Sequence, residues 1–202
     1  LVQVGDLISF NGSLLSLQGD MVTGKSLDDR AGVVMLLECM KELKKLHFQG
    51  EVVLVASVQE EVGVRGATVS AYQLEPDIGI AIDVTHGETP DAPKERTSPM
   101  DKGPCIAIGP NIHPKLAERL METAKEYGIP YVVDVGYGPT GTDARAIQIS
   151  RQGVPTLLLE LPLRYMHTTV ETLNMKTVKS AARLLALFIA GLGDDVEGLL
   201  CY

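Results

Sequence analysis

The chain has 202 residues, 45% of them hydrophobic, and a formal net charge of -8 at pH 7. This length and apolar content fit one globular domain with a sizeable core, or one domain plus part of another, and they argue against a disordered chain. No basic cluster is present, so the charge gives no support to binding of nucleic acid or of an anionic membrane, and the longest apolar runs are too short to span a bilayer.

The first predicted elements are short strands followed by one amphipathic helix. Residues 1–23 start without Met at LVQVGDLISF, in mid-strand, and their Gly and Asn turns predict a small separate β element. Residues 28–46 have a helical period that begins at an aspartate N-cap. The predicted buried face of this helix holds Val33, Leu36, Met40 and Leu43, and its polar face holds Glu38, Lys41, Glu42 and Lys45.

Strands and helices then alternate to the end of the chain. Residues 51–58, EVVLVASV, are apolar on both faces, which predicts a central strand that is covered on both sides. Next come a short helix over GVRGATVSAYQL, a buried strand over DIGIAIDV and a polar surface loop over residues 85–103. The later elements are strands at GPCIAIG, YVVDV and VPTLLLEL and helices that start at Pro114 and cover residues 142–151 and 175–190. This alternation predicts an α/β fold whose sheet has helices on both faces.

Acidic residues and one histidine follow the apolar runs, where α/β folds bind their ligands. Glu60 and Glu61 follow VVLVASVQ, Asp83 follows IGIAI, His167 follows LLLELPLRYM, and Asp28 precedes the first helix. Each alone fits an ordinary structural role, such as a solvated loop residue or a helix cap. Together, four carboxylates at one sheet edge require a cation or shared protons. Oxygen ligands with one imidazole suit zinc, cobalt or manganese, so the pattern indicates a divalent metal site.

The cysteines indicate the redox environment of the protein. Cys39, Cys105 and Cys201 are widely spaced and form no CxxC pair. Neither a disulfide framework nor a cysteine zinc site is therefore indicated, and a reducing cytoplasm is the simplest setting.

Five ordered segments resemble the di-metal aminopeptidases that include glutamyl aminopeptidase and the tetrahedral, twelve-subunit aminopeptidases. The segments are GKSLDDRAGV, VQEEVGVRGA, AIDVTH, GPTGTDARAIQISRQGVPT and LPLRYMHTTVETLN. The resemblance implies a three-layer α/β/α catalytic domain over residues 24–202 with a mixed central sheet. It also implies that residues 1–23 are the tail of an inserted β dimerisation domain.

The resemblance assigns ligands for two divalent ions, zinc or cobalt. Asp28 would bridge the two ions, Glu61 and His167 would bind the first, and Asp83 would bind the second. The family takes a further histidine from an upstream HxD motif, and no such motif is present in this chain. The chain therefore resembles a family member without its N-terminal third, and the second ion would keep too few ligands for tight binding.

The resemblance also assigns the chemistry, which is removal of N-terminal residues from peptides. Glu60 would be the general base for a water that the metal activates. Asp143 in PTGTDA would contact the free amino group of the substrate, and a helix-capping role for Thr142 or Asp143 is equally open. Relatives are expected to hold the peptide bond between Asp28 and Asp29 in cis.

Family members also build homo-oligomers, from dimers to dodecamers, which we expect here with peptide substrates and without nucleic acid or membrane partners. Two rival functions remain open at this point. Some family members have been labelled cellulases, although one base beside a bound water fits amide hydrolysis better than the paired free carboxylates of sugar cleavage. The other rival is an inactive metal-binding remnant.

Overall fold

The computed structural model describes residues 1–90, 92–193 and 196–200 and has an α/β architecture with two sheets. The strands are β1 (Leu15–Ser16), β2 (Met21–Gly24), β3 (Gly79–His86), β4 (Cys105–Ile108), β5 (Val132–Val135), β6 (Thr156–Leu163) and β7 (Glu171–Asn174). The helices are α1 (Leu27–Leu43), α2 (Arg65–Leu74), α3 (Pro114–Glu126), α4 (Ala144–Gln148), α5 (Met175–Ala190) and α6 (Val196–Leu200).

The larger sheet has the strand order β3-β6-β4-β5 and is mixed, as predicted. β3 runs parallel to β6 and β4 runs parallel to β5, whereas β4 and β6 are antiparallel. Every residue of β6 is buried, because this strand has a neighbour on each edge and helices on its faces. Its sequence TLLLELPL is accordingly an almost continuous apolar run.

The helices form two groups around this sheet. α1 and α3 pack against α5, and the group contacts the sheet through α1 on β3 and α3 on β4. α2 packs against α4, which contacts β3 and β6. The predicted α/β/α class is thus confirmed. α5 also buries the residues that its period predicted, namely Val178, Ala181, Leu185 and Phe188.

The buried face of α1 differs from the predicted one. Its core residues are Ala31, Met35, Cys39 and Leu43, spaced four apart, so of the predicted set only Leu43 is fully buried. Val33 and Met40 are 38% and 39% exposed. The helix has two apolar stripes, and the sequence period alone did not distinguish the one that is buried.

The smaller sheet joins residues 15–24 to residues 171–174, which are far apart in sequence. β2 pairs antiparallel with β1 on one edge and with β7 on the other. β7 was not predicted, and residues 1–14 form no strand, contrary to the sequence interpretation. These first residues are exposed and have no β partner among the described residues, so their apolar alternation does not produce a strand. The separate β domain stays a prediction.

Three further segments of the chain differ from their predicted structure. Residues 51–58 are assigned to no strand, because the backbone of residues 51–57 makes no hydrogen bond to any described residue. The helix predicted over residues 142–151 is only the five-residue α4. The predicted surface loop is partly inside the protein, since Ser98 and Met100 are buried.

Candidate metal centre

The site is assembled around the buried carboxylate of Glu171, the first residue of β7. Its Oε2 accepts hydrogen bonds from the backbone N–H groups of Leu27 at 2.6 Å and Asp28 at 3.1 Å. Its Oε1 accepts a 2.9 Å hydrogen bond from the backbone N–H of His167. Glu171 is 2% exposed. One side chain therefore fixes the backbone at two of the predicted metal ligands.

Asp28, Glu61 and His167 bring one ligand atom each to within 4.8 Å of one another. His167 Nε2 lies 3.1 Å from Asp28 Oδ2 and 3.4 Å from Glu61 Oε2. Ligand atoms around one tetrahedral zinc ion at about 2.1 Å are separated by about 3.4 Å. Two carboxylates and one imidazole at this spacing fit a divalent ion in both donor chemistry and geometry.

The two adjacent glutamates stand on a tight turn between the 51–58 segment and α2. The Glu60 carbonyl accepts hydrogen bonds from the N–H groups of Gly63 at 3.0 Å and Val64 at 2.9 Å. Gly66 closes the turn with a 2.9 Å hydrogen bond from its N–H to the Val58 carbonyl. A Cβ on Gly66 would lie 2.5 Å from that carbonyl oxygen, so only glycine fits this approach.

Crowding of carboxyl groups is evident from their pKa values. Burial is the main cause that raises the pKa of Asp83 from 3.8 to about 7, and the Glu60 and Asp28 charges add to it. Burial likewise raises the pKa of Asp29 to about 8, with Asp83 as the largest charge contribution. The pKa of Asp28 is raised to about 6 by burial and by Glu61. Each shift means that negative charge at the site is costly without a compensating cation.

Glu60 is close enough to Asp143 and to the three cluster residues to feel their charges. Burial raises the pKa of the Glu60 carboxyl, followed in size by the charge of Asp143. The Ser57 hydroxyl donates a 2.5 Å hydrogen bond to Asp143 Oδ2, whereas Oδ1 is buried without a hydrogen-bond partner among the described residues. Asp143 occupies the N-cap position of α4 but its side chain makes no capping hydrogen bond. The Thr142 hydroxyl accepts one from the Ala144 N–H instead.

The predicted site residues thus fall into two sets. The structure brings Asp28, Glu61 and His167 together in one cluster. Asp83 lies outside this cluster, on β3, where its Oδ1 accepts a 2.8 Å hydrogen bond from the Val84 N–H. Glu60 and Asp83 nevertheless interact with the cluster, because the charge of Asp28 contributes to the raised pKa of each. The roles assigned to all of these residues remain predictions.

Sequence reasoning missed Glu171 and Ser57 as parts of the site. Glu171 stands in the quoted segment HTTVETLN, four residues after His167, and the one signal for it was a lone acidic residue within an otherwise uncharged stretch. Ser57 is the third residue before Glu60 and its hydroxyl gave no signal. The cis bond predicted between Asp28 and Asp29 is confirmed.

A carboxylate–histidine cluster beside the strands of an α/β sheet is typical of metal-assisted hydrolases. Comparison with known proteins is more specific. The chain belongs to the M42 glutamyl aminopeptidase family, whose model matches residues 1–184. The resemblance seen in the five segments is thereby confirmed. In the described part of the chain, no helix has the length and apolar character needed to cross a membrane.

Three relatives illustrate the match. The chain is 37% identical over 182 residues to the lysyl aminopeptidase of Pyrococcus furiosus, covering 90% of this chain and 52% of that protein. A TET aminopeptidase from a marine sediment archaeon of the Thaumarchaeota superposes with a TM-score of 0.87 at 31% identity, with 93% and 55% of the two chains covered. The Pyrococcus horikoshii TET1 peptidase superposes with a TM-score of 0.77 at 32% identity, with 91% and 54% covered, and it can assemble into a tetrahedron or a large octahedral shell. The chain spans about half the length of the curated relatives it matches.

Proposed function

We propose that the protein is a metal-dependent aminopeptidase that removes N-terminal residues from peptides. The observation that carries the proposal is the cluster of Asp28, Glu61 and His167 with Glu60 and Asp143 beside it. Membership of an aminopeptidase family supports the same conclusion.

The residues divide into those that hold an ion and those that act on the substrate. Asp28, Glu61 and His167 would hold a first divalent ion, zinc or cobalt, and Asp28 with Asp83 would hold a second. A bound ion of this kind lowers the pKa of a water molecule and polarises a carbonyl group. Glu171 acts through other residues, since its carboxylate fixes the backbone of Asp28 and His167.

Glu60 is the residue proposed to move the proton. Its carboxyl pKa is raised by burial and by Asp143, which brings it closer to the neutral pH where a general base works best. A carboxylate in this position accepts a proton from water at its side-chain oxygen and passes it to the amine that leaves. Because Glu61 is the next residue on the same turn, the base is held beside a ligand of the ion.

Asp143 is proposed to bind the free amino group of the peptide. Its buried Oδ1 lacks a hydrogen-bond partner among the described residues, and a substrate ammonium supplies both a donor and an opposite charge. The Ser57 hydroxyl occupies the other carboxylate oxygen and fixes its orientation. This arrangement selects peptides with a free N-terminus over internal segments.

The experiment measures release of amino acid from aminoacyl-anilides, with Zn²⁺ or Co²⁺ and after chelation. We expect metal-dependent release by the whole protein and no release of sugar from carboxymethylcellulose. Sugar release without anilide cleavage would establish the rival glycoside hydrolase. Metal binding with neither activity would establish the inactive remnant.

For the 202-residue chain itself, we expect at most one firmly bound ion and little peptidase activity, because Asp28 and Asp83 are too few ligands for a second ion. Metal analysis of the purified chain tests this stoichiometry. Two ions per chain together with rapid cleavage would contradict the ligand assignment.

We further propose that the whole protein is a cytoplasmic homo-oligomer. Cys39 and Cys105 are free and buried, as expected in a reducing compartment. The assembly of the Pyrococcus horikoshii TET1 peptidase supports the oligomer.

A further inference from the structure

The short helix α4 follows directly after Asp143 and has little intrinsic stability. It spans five residues, Ala144–Gln148, which is too short for a helix to be stable alone. The side chain at its N-cap, Asp143, makes no capping hydrogen bond. The position of Asp143, which is proposed to bind the substrate amino group, therefore depends on contacts from other parts of the chain.

The segment that leads into α4 is also weakly restrained by its own sequence. Residues 136–141, GYGPTG, contain three glycines, and Tyr137 is 95% exposed. A Cβ added at Gly138 or Gly141 would meet nothing within 4 Å, so close packing does not require these glycines. Glycine loses more conformational entropy on folding than other residues, so a fixed conformation of this segment needs contacts that offset this cost.

Asn111 supplies contacts on both sides of α4. Its side-chain Oδ1 accepts a 2.9 Å hydrogen bond from the Thr140 N–H, three residues before Asp143. Its Nδ2 donates a 2.7 Å hydrogen bond to Oε1 of Gln148, the last residue of α4. An asparagine amide has one acceptor oxygen and one donor nitrogen, and both are used here. We call these two hydrogen bonds the Asn111 brace.

The backbone next to Asn111 is itself fixed to the core. The Ile112 N–H donates a 3.0 Å hydrogen bond to the Gly109 carbonyl, and the Ile112 side chain is buried. The His113 N–H donates a 2.9 Å hydrogen bond to the carbonyl of Thr156, at the start of β6, and His113 is also the N-cap of α3. The Asn111 brace therefore connects α4 to β6 and α3, two elements of the main core.

Apolar packing also holds α4 against its neighbours, but it does not fix the helix along its axis. α4 and α2 share a small cluster of Val64, Ala67 and Ala146, with Ile147 packed against it. Apolar attraction is non-directional, so a small shift of the helix costs little of it. Hydrogen bonds are directional, and those of the Asn111 brace lie before the start of α4 and at its end. They therefore determine where along its axis α4 lies.

We propose that Asn111 is a positioning residue for the amino terminus of the peptide substrate and acts through Asp143. The Asn111 brace keeps α4 where the Ser57 hydroxyl meets Asp143 Oδ2 at 2.5 Å. The buried Asp143 Oδ1, which has no hydrogen-bond partner among the described residues, then stays available to a substrate ammonium. The inference rests on the proposed function, because the ammonium is the group that Asp143 is proposed to bind.

Hydrogen–deuterium exchange on the 202-residue chain tests the Asn111 brace without any measurement of activity. Asn111→Leu keeps the branched shape of the side chain and removes both hydrogen bonds. The amides of residues 140–148 should then exchange about tenfold faster or more, while those of α5 and β6 change little and show that the chain is folded. Asn111→Asp keeps an acceptor for the Thr140 N–H, and its other oxygen can accept from the Gln148 amide once that amide rotates. It should therefore restore most of the protection.

Kinetics of the whole protein with Zn²⁺ or Co²⁺ test the positioning role. Asn111→Leu should raise the KM for an aminoacyl-anilide about tenfold and leave kcat within about twofold, because the weakened contact binds the amino group equally in the ground state and the transition state. A variant that is merely less folded would instead lower kcat with the active fraction and leave KM unchanged. Asn111→Asp should return KM most of the way to that of the unmodified protein.

Two further variants localise the effect. Asn11→Leu is the matched control, because Asn11 lies in the exposed segment 1–14, and it should change neither exchange nor KM. Gln148→Leu removes one of the two hydrogen bonds of the Asn111 brace and should raise KM less than Asn111→Leu does. The double variant should match Asn111→Leu, because the two residues act through a shared contact.

Each readout has an outcome that would overturn its part of the proposal. Unchanged exchange of residues 140–148 in Asn111→Leu would overturn the Asn111 brace itself. Faster exchange without a rise in KM would overturn the positioning role. No anilide cleavage by the unmodified whole protein would overturn the proposed function and the substrate role of Asn111 with it, whereas the exchange result would still decide whether the Asn111 brace holds α4.

Discussion

At the residue scale, two adjacent glutamates are proposed to have different tasks because they face different neighbours. Glu61 lies 3.4 Å from His167 Nε2 within the ligand cluster. Glu60 is instead influenced by Asp143, which is the largest charge contribution to its raised pKa. If Glu60 is the base and Glu61 a ligand, the hydrogen-bonded turn that carries both holds their backbones next to each other.

This difference predicts the behaviour of two matched variants of the whole protein. Glu60→Gln should retain the metal and lose amide hydrolysis by about two to four orders of magnitude, which is what a positioned base contributes. Glu61→Gln should instead lose mainly metal affinity. Metal content and anilide turnover are measured on both, and near-normal turnover of Glu60→Gln would exclude it as the base.

Glu171 gives a second prediction at this scale. Glutamine retains the size of the side chain but offers one acceptor oxygen where the structure uses two, and its amide N–H groups would face backbone N–H donors. Glu171→Gln should therefore weaken zinc binding by about 10- to 100-fold through displaced ligands.

Competition with a chromogenic chelator measures that affinity. Glu75→Gln is the control, because Glu75 is exposed and pairs with Arg151 away from the cluster. Unchanged affinity in Glu171→Gln would mean that the backbone near Asp28 and His167 keeps its geometry without this carboxylate.

At the element scale, the turn before α2 depends on a close contact between two backbones. Gly66→Ala would place a Cβ against the backbone of Val58, which cannot move aside as a flexible side chain can. We expect a loss of about 1–3 kcal/mol in the free energy of unfolding, as for other overpacked sites. Gly138→Ala is the control, since a Cβ there meets nothing within 4 Å.

Urea unfolding followed by circular dichroism measures both glycine variants. The displaced turn in Gly66→Ala should also reduce metal affinity, because Glu61 stands on it. Equal stability of the two variants would show that the turn relaxes at no cost.

At the scale of the whole molecule, the crowded carboxyls link stability to pH. The pKa of Asp29 is raised to about 8 and that of Asp83 to about 7, mainly by burial, whereas both titrate near 3.8 in the unfolded chain. Between these values the folded chain holds more protons than the unfolded chain, so the free energy of unfolding falls as pH rises from about 4 to about 8.

The urea midpoint in the presence of a chelator should therefore decrease over this pH range. Zn²⁺ should raise the midpoint more at high pH than at low pH, because it competes with the bound protons. Asp83→Asn should make the profile shallower between about pH 4 and about pH 7, the range over which Asp83 holds an extra proton in the folded chain. A midpoint that increases with pH in the chelated chain would contradict the predicted shifts.

Assembly is the other property of the whole molecule. Residues 1–14 are exposed and form no strand. They include the apolar residues Leu7, Ile8 and Phe10, so this segment leaves apolar surface for contact with another chain. We expect the whole protein to be a homo-oligomer and the 202-residue chain to keep a reduced or non-specific association. Light scattering on the whole protein and on the 202-residue chain tests this prediction. A monodisperse monomer of the whole protein would contradict the predicted oligomer.

The sequence by itself determined the α/β class and most of the candidate site. Periodicity located α5 and the buried strands because their side-chain patterns are local properties of consecutive residues. Asp28, Glu61 and His167 could be predicted because each follows or precedes such an element, and the topology of α/β sheets brings those positions to one edge.

The tertiary structure alone decided which apolar stripe of α1 is buried, what Glu171 contacts, and whether residues 51–58 form a strand. The apolar content of EVVLVASV predicted the extended conformation, but a strand also requires hydrogen bonds to a second segment that is distant in sequence. Similarly, nothing near Glu171 in the sequence shows that its carboxylate meets the N–H groups of Leu27 and His167. Local patterns determine conformation and burial, whereas the identity of the partner is fixed only when the chain folds on itself.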